Sequence, residues 1–130
     1  MWKMIEKALR YELNKVSELE NKIFPMNAPE GQKPPYLVYI TSKKHLKDLN
    51  GVIENRECYL ILNILCSSYS QMKDLTKKIE DIIVKFPLKT IGEENLYIQD
   101  IDFSDITENY EEQLKLHRGI IPFTVYYKEE

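Results

Sequence analysis

The sequence predicts an α+β fold, a mainly antiparallel sheet with two helices packed on one face, in the order α-β-β-α-β-β. Two stretches repeat apolar residues every three or four positions, as amphipathic helices do. Four other stretches are rich in β-branched and aromatic residues, as strands are. With 130 residues, the chain is expected to form a single domain over 1–130.

The first predicted helix begins near the N-terminus. One apolar stripe runs along it, and charged residues lie mostly off that stripe. The helix is expected to fray over 18–22. The stripe consists of Trp2, Ile5, Leu9, Leu13 and Val16.

The second predicted helix follows the stretch "CSS". Ser67, Ser68 or Ser70 can cap it, because a serine oxygen accepts from the free N–H groups of a helix start. Pro87 is expected to stop it. Lys77, Asp81 and Lys85 are expected to form an exposed i,i+4 ladder. Its apolar positions are Met72, Leu75, Ile79, Ile82, Ile83 and Phe86.

Four strands are predicted, the first over 36–43. The dipeptide Asn50–Gly51 predicts a turn before the second strand, "ECYLILNILCS". Both faces of that strand are largely apolar, so it is expected to be central and covered on both sides, in part by a partner subunit. "NLYIQDIDF" and "GIIPFTVYYKE" are the others, and Pro122 is expected to place part of the last at an edge or bulge.

The stretch "IFPMNAPEGQKPPYLVY", over 23–39, contains four prolines, a glycine and an asparagine. Proline lacks a backbone donor and fixes φ, so no regular element is expected through its middle. The sequence predicts a stiff connection that carries the chain from the first helix to the edge of the sheet.

Composition argues against several classes of protein. The formal net charge is −3, and no basic cluster suggests binding to nucleic acid through phosphates. No apolar run is long enough for a membrane span, and the charged N-terminal stretch does not resemble a secretion signal. Cys58 and Cys66 lie at opposite ends of one predicted strand, too far apart to pair, and are expected to be buried thiols.

An acidic stretch over 100–111 partly matches the ligand spacing of an EF-hand calcium loop. Oxygen ligands fall at the required positions, yet Asp105 stands where the sharp turn needs glycine, and the preceding residues look like a strand. We favour a solvated acidic strand end and keep calcium as the alternative. The candidate ligands are Asp100, Asp102, Ser104, Glu108 and Glu111.

No catalytic constellation is evident, so we expect neither an enzyme nor a cofactor or metal. His45 and His117 lie in different elements without a nearby nucleophile. Cys66, at a strand-to-helix junction, could be a reactive thiol, but a core position is the favoured interpretation.

Nine tyrosines are many for a core of this size. Tyrosine is enriched at protein interfaces, while strand propensity alone also explains its use. The tyrosines placed on strands are Tyr36, Tyr39, Tyr59, Tyr97, Tyr126 and Tyr127.

These features resemble the tail-completion, or tail-terminator, proteins of long-tailed bacteriophages and prophages. The stretch over 23–39 is similar to that family's "(I/V)YP…AP.G…PYVVY" pattern. "HRGIIPFTVYYKE" is similar to its closing strand, in which an arginine precedes alternating aromatic residues, and the second helix matches in position. The residues that carry the resemblance, and that we take as candidate assembly or structural residues, are Pro25, Pro29, Gly31, Pro35, Tyr36, Tyr39, Arg118, Phe123 and Tyr127.

The resemblance implies a virion structural protein that caps the tail tube and joins it to the neck, commonly as a hexameric ring. Its partners would be its own copies, the tail-tube protein and a head-completion or neck protein. DNA would pass nearby without specific binding, with no membrane involved. The protein would reside in the virion tail after assembly in the host cytoplasm. The alternatives are a head–tail connector or minor tail component, or, in another class, a small ligand- or calcium-binding module.

Overall fold

A computed structural model of the chain describes residues 2–46 and 55–128, so the turn expected at Asn50–Gly51 lies outside the described residues. Two helices, α1 (Trp2–Leu13) and α2 (Tyr69–Ile83), pack against the sheet, and a short 3-10 helix covers Ser17–Leu19. The seven described strands are β1 (Ile23–Pro25), β2 (Tyr36–Leu46), β3 (Asn55–Cys66), β4 (Lys89–Ile91), β5 (Leu96–Phe103), β6 (Thr107–Glu111) and β7 (Leu116–Lys128).

The strands form one sheet in the order β1-β2-β3-β7-β5-β4, with β6 also paired to β7. All described pairings are antiparallel except that of β1 with β2. The predicted α+β fold with a mainly antiparallel sheet is therefore confirmed. Of the described helices, none is both long and apolar enough to cross a bilayer.

Both helices pack on the same face of the sheet, hereafter the helix face. Alternate residues of β2, β3 and β7 project into this core, including Leu37, Leu60, Leu62, Ile121 and Val125. From the helices it receives Leu9, Leu13, Met72, Leu75, Ile79, Ile83 and Phe86, all buried as the periodicity predicts.

The ends of α2 follow the predicted signals, whereas α1 ends at Leu13, ahead of the 18–22 stretch where fraying was expected. The oxygen of Ser68 accepts a hydrogen bond from the Gln71 N–H at 3.2 Å and so caps α2. Lys77 pairs with Asp81 at 2.7 Å across one turn of α2. The helix ends at Ile83, ahead of Pro87.

Three short strands were not predicted. β1 and β4 have three residues each and β6 has five. Part of the stretch expected to be an irregular connection is therefore strand β1, which pairs in parallel with Leu37–Tyr39. Adjacent parallel strands need a crossover connection, and the proline-rich 26–35 segment, hereafter the crossover segment, supplies it.

The edge position expected for part of the last strand is wrong. β7 lies inside the sheet, with β3 on one side and β5 followed by β6 on the other. Pro122 lies where β5 gives way to β6, and its carbonyl accepts from the Ser104 N–H at 2.9 Å. The N–H and C=O of one strand residue point to the same side, so the donor that proline lacks would have faced this gap.

β3 is interior, as predicted, but is covered on both faces over only part of its length. On the helix face Cys58, Leu60, Leu62, Ile64 and Cys66 are fully buried. On the opposite face Leu65 is buried, whereas Tyr59 is 38% exposed. Both cysteines are buried and form no disulfide, as expected.

Candidate functional site

The face of the sheet away from the helices, hereafter the bare face, is the candidate functional surface. Its middle carries partly or largely exposed apolar side chains from three adjacent strands, and Ile40 is 47% exposed. The register places Ile40, Ile61 and Pro122 in one row across β2, β3 and β7. A row of exposed apolar side chains on a sheet face is typical of a contact site for another protein.

The crossover segment covers one end of the bare face. Phe24 and Ala28 pack there against a small buried cluster of Tyr36, Leu65 and Leu116. The rings of Phe24 and Tyr36 meet edge to face, with centroids 6.5 Å apart. The crossover segment is therefore held against the sheet by its own apolar contacts.

A cleft of about 390 Å³ opens beside the crossover segment. Its walls come from residues 26–32 on one side and from the sheet, including Val38 and Arg118, on the other. Gly31, at φ +81°, provides a left-handed turn in the wall, a conformation that costs glycine little.

Arg118 links three strands at the floor of this cleft. Its Nη1 donates to the Oδ1 of Asn63 in β3 at 3.0 Å, and its Nη2 pairs with Glu111 of β6 at 2.9 Å. The Asn63 side chain, only 6% exposed, in turn donates through Nδ2 to the Val38 carbonyl of β2 at 3.4 Å. This chain of bonds fixes the relative positions of the strands beneath the crossover segment.

The structure brings some of the candidate residues together and separates others. Pro29, Gly31, Tyr36 and Arg118 line the cleft. Pro25 ends the neighbouring edge strand, and Pro35 follows Pro34 through a cis peptide immediately before β2. Tyr39, Phe123 and Tyr127 belong instead to the core on the helix face, where each is at most 1% exposed.

All six strand tyrosines lie on described strands, as predicted. Tyr126 is on the bare face, opposite Glu57 of β3 and Asp100 of β5. Partial burial, together with the negative charges of Glu57, Asp102 and Asp100, raises its pKa. The bare face is thus acidic at the β5 side.

The stretch compared with a calcium loop has a different geometry. Asp100 and Asp102 lie in β5, and Glu108 and Glu111 lie in β6, so the residues form two extended strands rather than a loop between helices. Glu108 pairs with Lys73 and Glu111 with Arg118. In the part of the chain that is described, no three His, Cys, Asp or Glu side chains converge on a metal position.

Cys66 is a core residue. It is fully buried, and burial raises the pKa of its thiol to about 11. A thiol with this pKa is almost entirely protonated at neutral pH and is a poor nucleophile. The favoured interpretation of Cys66 as a packing residue agrees with this environment.

Asn63 and Leu65 are parts of this surface that sequence reasoning did not select, and Glu111 was considered only as a calcium ligand. Asn63 gave a usable signal, because it is the polar residue in the otherwise apolar run "YLILNILC". A buried amide requires hydrogen-bond partners, and here Arg118 is one of them. Glu111 gave no such signal, since it sits in an acidic stretch.

Comparisons with known proteins show where this fold occurs. No family model and no curated protein sequence matches the chain. Among solved structures, a chain of the virion of a native gene transfer agent particle is similar with a TM-score of 0.69 at 7% identity, covering 99% of this chain and 100% of that chain. A second solved protein, 12% identical, matches with a TM-score of 0.57 over 100% of this chain and 96% of its own. At such low identity the likeness is one of fold, and it extends over the whole chain.

Proposed function

We propose that this chain is a structural component of a phage-type particle that caps the tail tube and joins it to the neck as a ring of copies, six by the family resemblance. The observation that carries the proposal is the end-to-end match of its fold to a chain of a gene transfer agent virion. The resemblance of the 23–39 stretch and of the closing strand to tail-completion proteins supports it independently.

The surface of the molecule is suited to assembly. A ring of identical subunits needs two different surfaces on each copy that fit one another. The bare face offers an apolar row, a cleft and exposed aromatic groups, of which Tyr59 and Tyr97 are 38% and 39% exposed. Tyrosines of this kind contribute large contact areas at little entropic cost.

The acidic part of the bare face fits a position near passing DNA. Glu57, Asp100 and Asp102 surround Tyr126 there, and the whole chain has a net charge of −3. Like charges repel a phosphate backbone, so such a surface would let DNA slide without adhering.

The proposal is tested by deleting the gene from the genome that encodes it and imaging the particles by electron microscopy. We expect filled heads without attached tails, together with tail tubes of unregulated length. Complementation by the wild-type gene should restore whole particles, and a variant changed at an exposed position just after α2, Lys85→Ala, should do the same.

Two other outcomes would be informative. Tails of normal length that fail to attach would favour a head–tail connector of the same fold. Normal, infectious particles would contradict a structural role altogether.

Light scattering of the purified protein with and without the tail-tube protein should show a complex that forms only, or more strongly, when the tube is present.

A further inference from the structure

Strand β2 presents an unpaired edge over most of its length. β1 pairs with only its first part, Leu37–Tyr39. There the Leu37 N–H donates to the Lys22 carbonyl, and the Tyr39 carbonyl accepts from the Met26 N–H, each at 2.9 Å. Odd-numbered residues of β2 therefore direct their backbone away from β3. From Thr41 onward these groups meet no strand within the described residues.

Strand β6 presents a second unpaired edge. It pairs with β7 on one side, and in the described chain no strand lies on its other side. The Pro122 carbonyl points towards β5 and β6, so the even-numbered residues of β7 direct their backbone groups to that side. There they pair with Thr107, Asn109 and Glu111 of β6. The backbone groups of Glu108 and Tyr110 then point away from the sheet, and both residues are exposed.

Two other exposed stretches of the sheet's edge are blocked locally. In β1, Pro25 has no N–H, and its carbonyl accepts from the Asn27 N–H at 2.7 Å. In β5, the Ile101 N–H is taken by the Asp100 carboxylate at 2.9 Å. Natural sheets use prolines, charges and local bonds in this way to prevent pairing. The described outward-facing residues of β2 from Thr41 onward and of β6 carry charges, but they include no proline and show no local backbone bond of this kind.

The two open edges carry opposite charges. The sequence of strand β2 includes Lys43 and Lys44. In β6, Glu108 and Glu111 pair with Lys73 and Arg118 of the same chain, and the negative charge offered to a partner comes from Asp105 and Glu112, which are exposed and flank the strand. Lysines on one edge and carboxylates on the other disfavour pairing between two like edges and favour pairing between unlike ones.

We propose that strand β2 of one copy pairs with strand β6 of the next copy, so that the sheet continues from subunit to subunit. The partner is a second copy of this chain, and the contact is head to tail, the kind that closes rings. This inference rests on the proposed function for its biological role, because it specifies the contact from which such a ring would be built.

Charge reversal provides a sharp test. An acidic variant, Lys43→Glu with Lys44→Glu, has two acidic edges, and a basic variant, Asp105→Lys with Glu112→Lys, has two basic ones. We expect each alone to self-associate at least about tenfold more weakly than the wild type, because several unfavourable charge pairs add. An equimolar mixture should regain assembly, since every contact then joins unlike edges.

Sedimentation velocity measures this association, and circular dichroism verifies that each variant is folded. Lys85→Glu with Glu20→Lys, which reverses exposed charges away from both edges, is the matched control and should assemble as the wild type does. If the single variants assemble normally, or if the folded variants fail to assemble when mixed, the inference is overturned.

A backbone test isolates the hydrogen bonds. Thr41→Pro removes one N–H from the open edge of β2, whereas Thr41→Ala changes the side chain alone. Tyr110→Pro and Tyr110→Ala form the corresponding pair in β6. We expect each proline variant to lose most self-association and each alanine variant to keep it.

The inference and the proposed function can fail separately. Assembly that persists in both folded proline variants overturns the strand pairing but leaves the role in the particle intact. A wild-type chain that stays monomeric at every concentration, both alone and with the tail-tube protein, also overturns the pairing. The particle phenotype of the gene deletion tests the proposed function on its own.

Discussion

The Tyr39 hydroxyl donates a hydrogen bond to the Glu6 Oε1 at 2.9 Å, and this bond joins α1 to the sheet. Tyr39 is only 1% exposed. Burial first, and then the bonded and charged Glu6 carboxylate, raise the pKa of Tyr39 to about 12 from 10.0.

Tyr39→Phe is expected to destabilise the protein by about 1–3 kcal/mol, because the Glu6 carboxylate loses its donor in a partly buried position. Urea unfolding at neutral pH measures the change. A free energy of unfolding within error of the wild type would contradict a contribution from this bond.

The same pair predicts a pH dependence. Because the folded-state pKa lies above the unfolded value, the stabilisation is complete below pH 10 and is lost as pH rises towards 12. The free energy of unfolding that is lost between pH 10 and pH 12 should be smaller in Tyr39→Phe than in the wild type, by an amount on the order of 2 kcal/mol. Equal slopes in the two proteins would contradict the raised pKa.

Ser68→Ala is expected to destabilise the protein by about 1 kcal/mol, because the Gln71 N–H loses its acceptor at the start of α2. Ser67→Ala and Ser70→Ala are matched controls, since both serines are exposed and neither caps the helix. Thermal unfolding compares the three. Equal effects at all three positions would show that the cap contributes nothing specific.

Gly119 allows α2 to approach β7 closely. A Cβ at this position would overlap the Thr76 Oγ1 and lie 3.3 Å from the Met72 sulfur. Gly119→Ala should therefore destabilise the protein by about 1–3 kcal/mol through overpacking. Thr76→Ala should relieve much of this cost in the double variant, and additive effects would contradict the proposed overlap.

Arg118→Met should loosen the strands beneath the cleft, because Asn63 loses the donor to its Oδ1 and Glu111 loses its ion-pair partner. We expect a destabilisation of about 1–3 kcal/mol and faster amide hydrogen exchange in β6 than in β3. Uniform exchange changes across the sheet would argue against a local role for Arg118.

Cys58 and Cys66 are expected to resist a thiol reagent at pH 8 in the folded protein, since both are fully buried and the pKa of Cys66 is about 11. Two thiols should react after denaturation, and one in the Cys66→Ala variant. Rapid modification of native Cys66 would instead indicate an accessible, activated thiol.

The two helices and four long strands were predictable because their signals are local. Helical periodicity placed Met72, Leu75 and Ile79 in the core, where they lie. The short strands could not be predicted in this way. β1 is a strand because Ile23–Pro25 finds Leu37–Tyr39 beside it, and β6 is a polar segment stabilised by β7. Such strands depend on a partner distant in sequence.

The candidate surface was only partly predictable for a related reason. Both faces of a strand can require aromatic residues, so the sequence pattern did not separate Tyr36, which lines the cleft, from Phe123 and Tyr127, which fill the core. Pro122 was misplaced because proline usually disrupts an interior strand. Its tolerance here depends on the gap between β5 and β6, which only the tertiary structure reveals.

Pro122 also protects the chain against misalignment of its longest strand. If β7 slipped by one residue, the proline nitrogen would turn towards β3, whose carbonyls would meet a ring in place of a donor. A slip by two residues would leave each side chain on its correct face. It would, however, place the proline directly opposite β5 or β6, where its missing N–H would interrupt the ladder of hydrogen bonds. A misaligned sheet would thus lose a backbone hydrogen bond at this residue. In the native alignment the missing donor faces the gap between β5 and β6, and no ladder bond is lost.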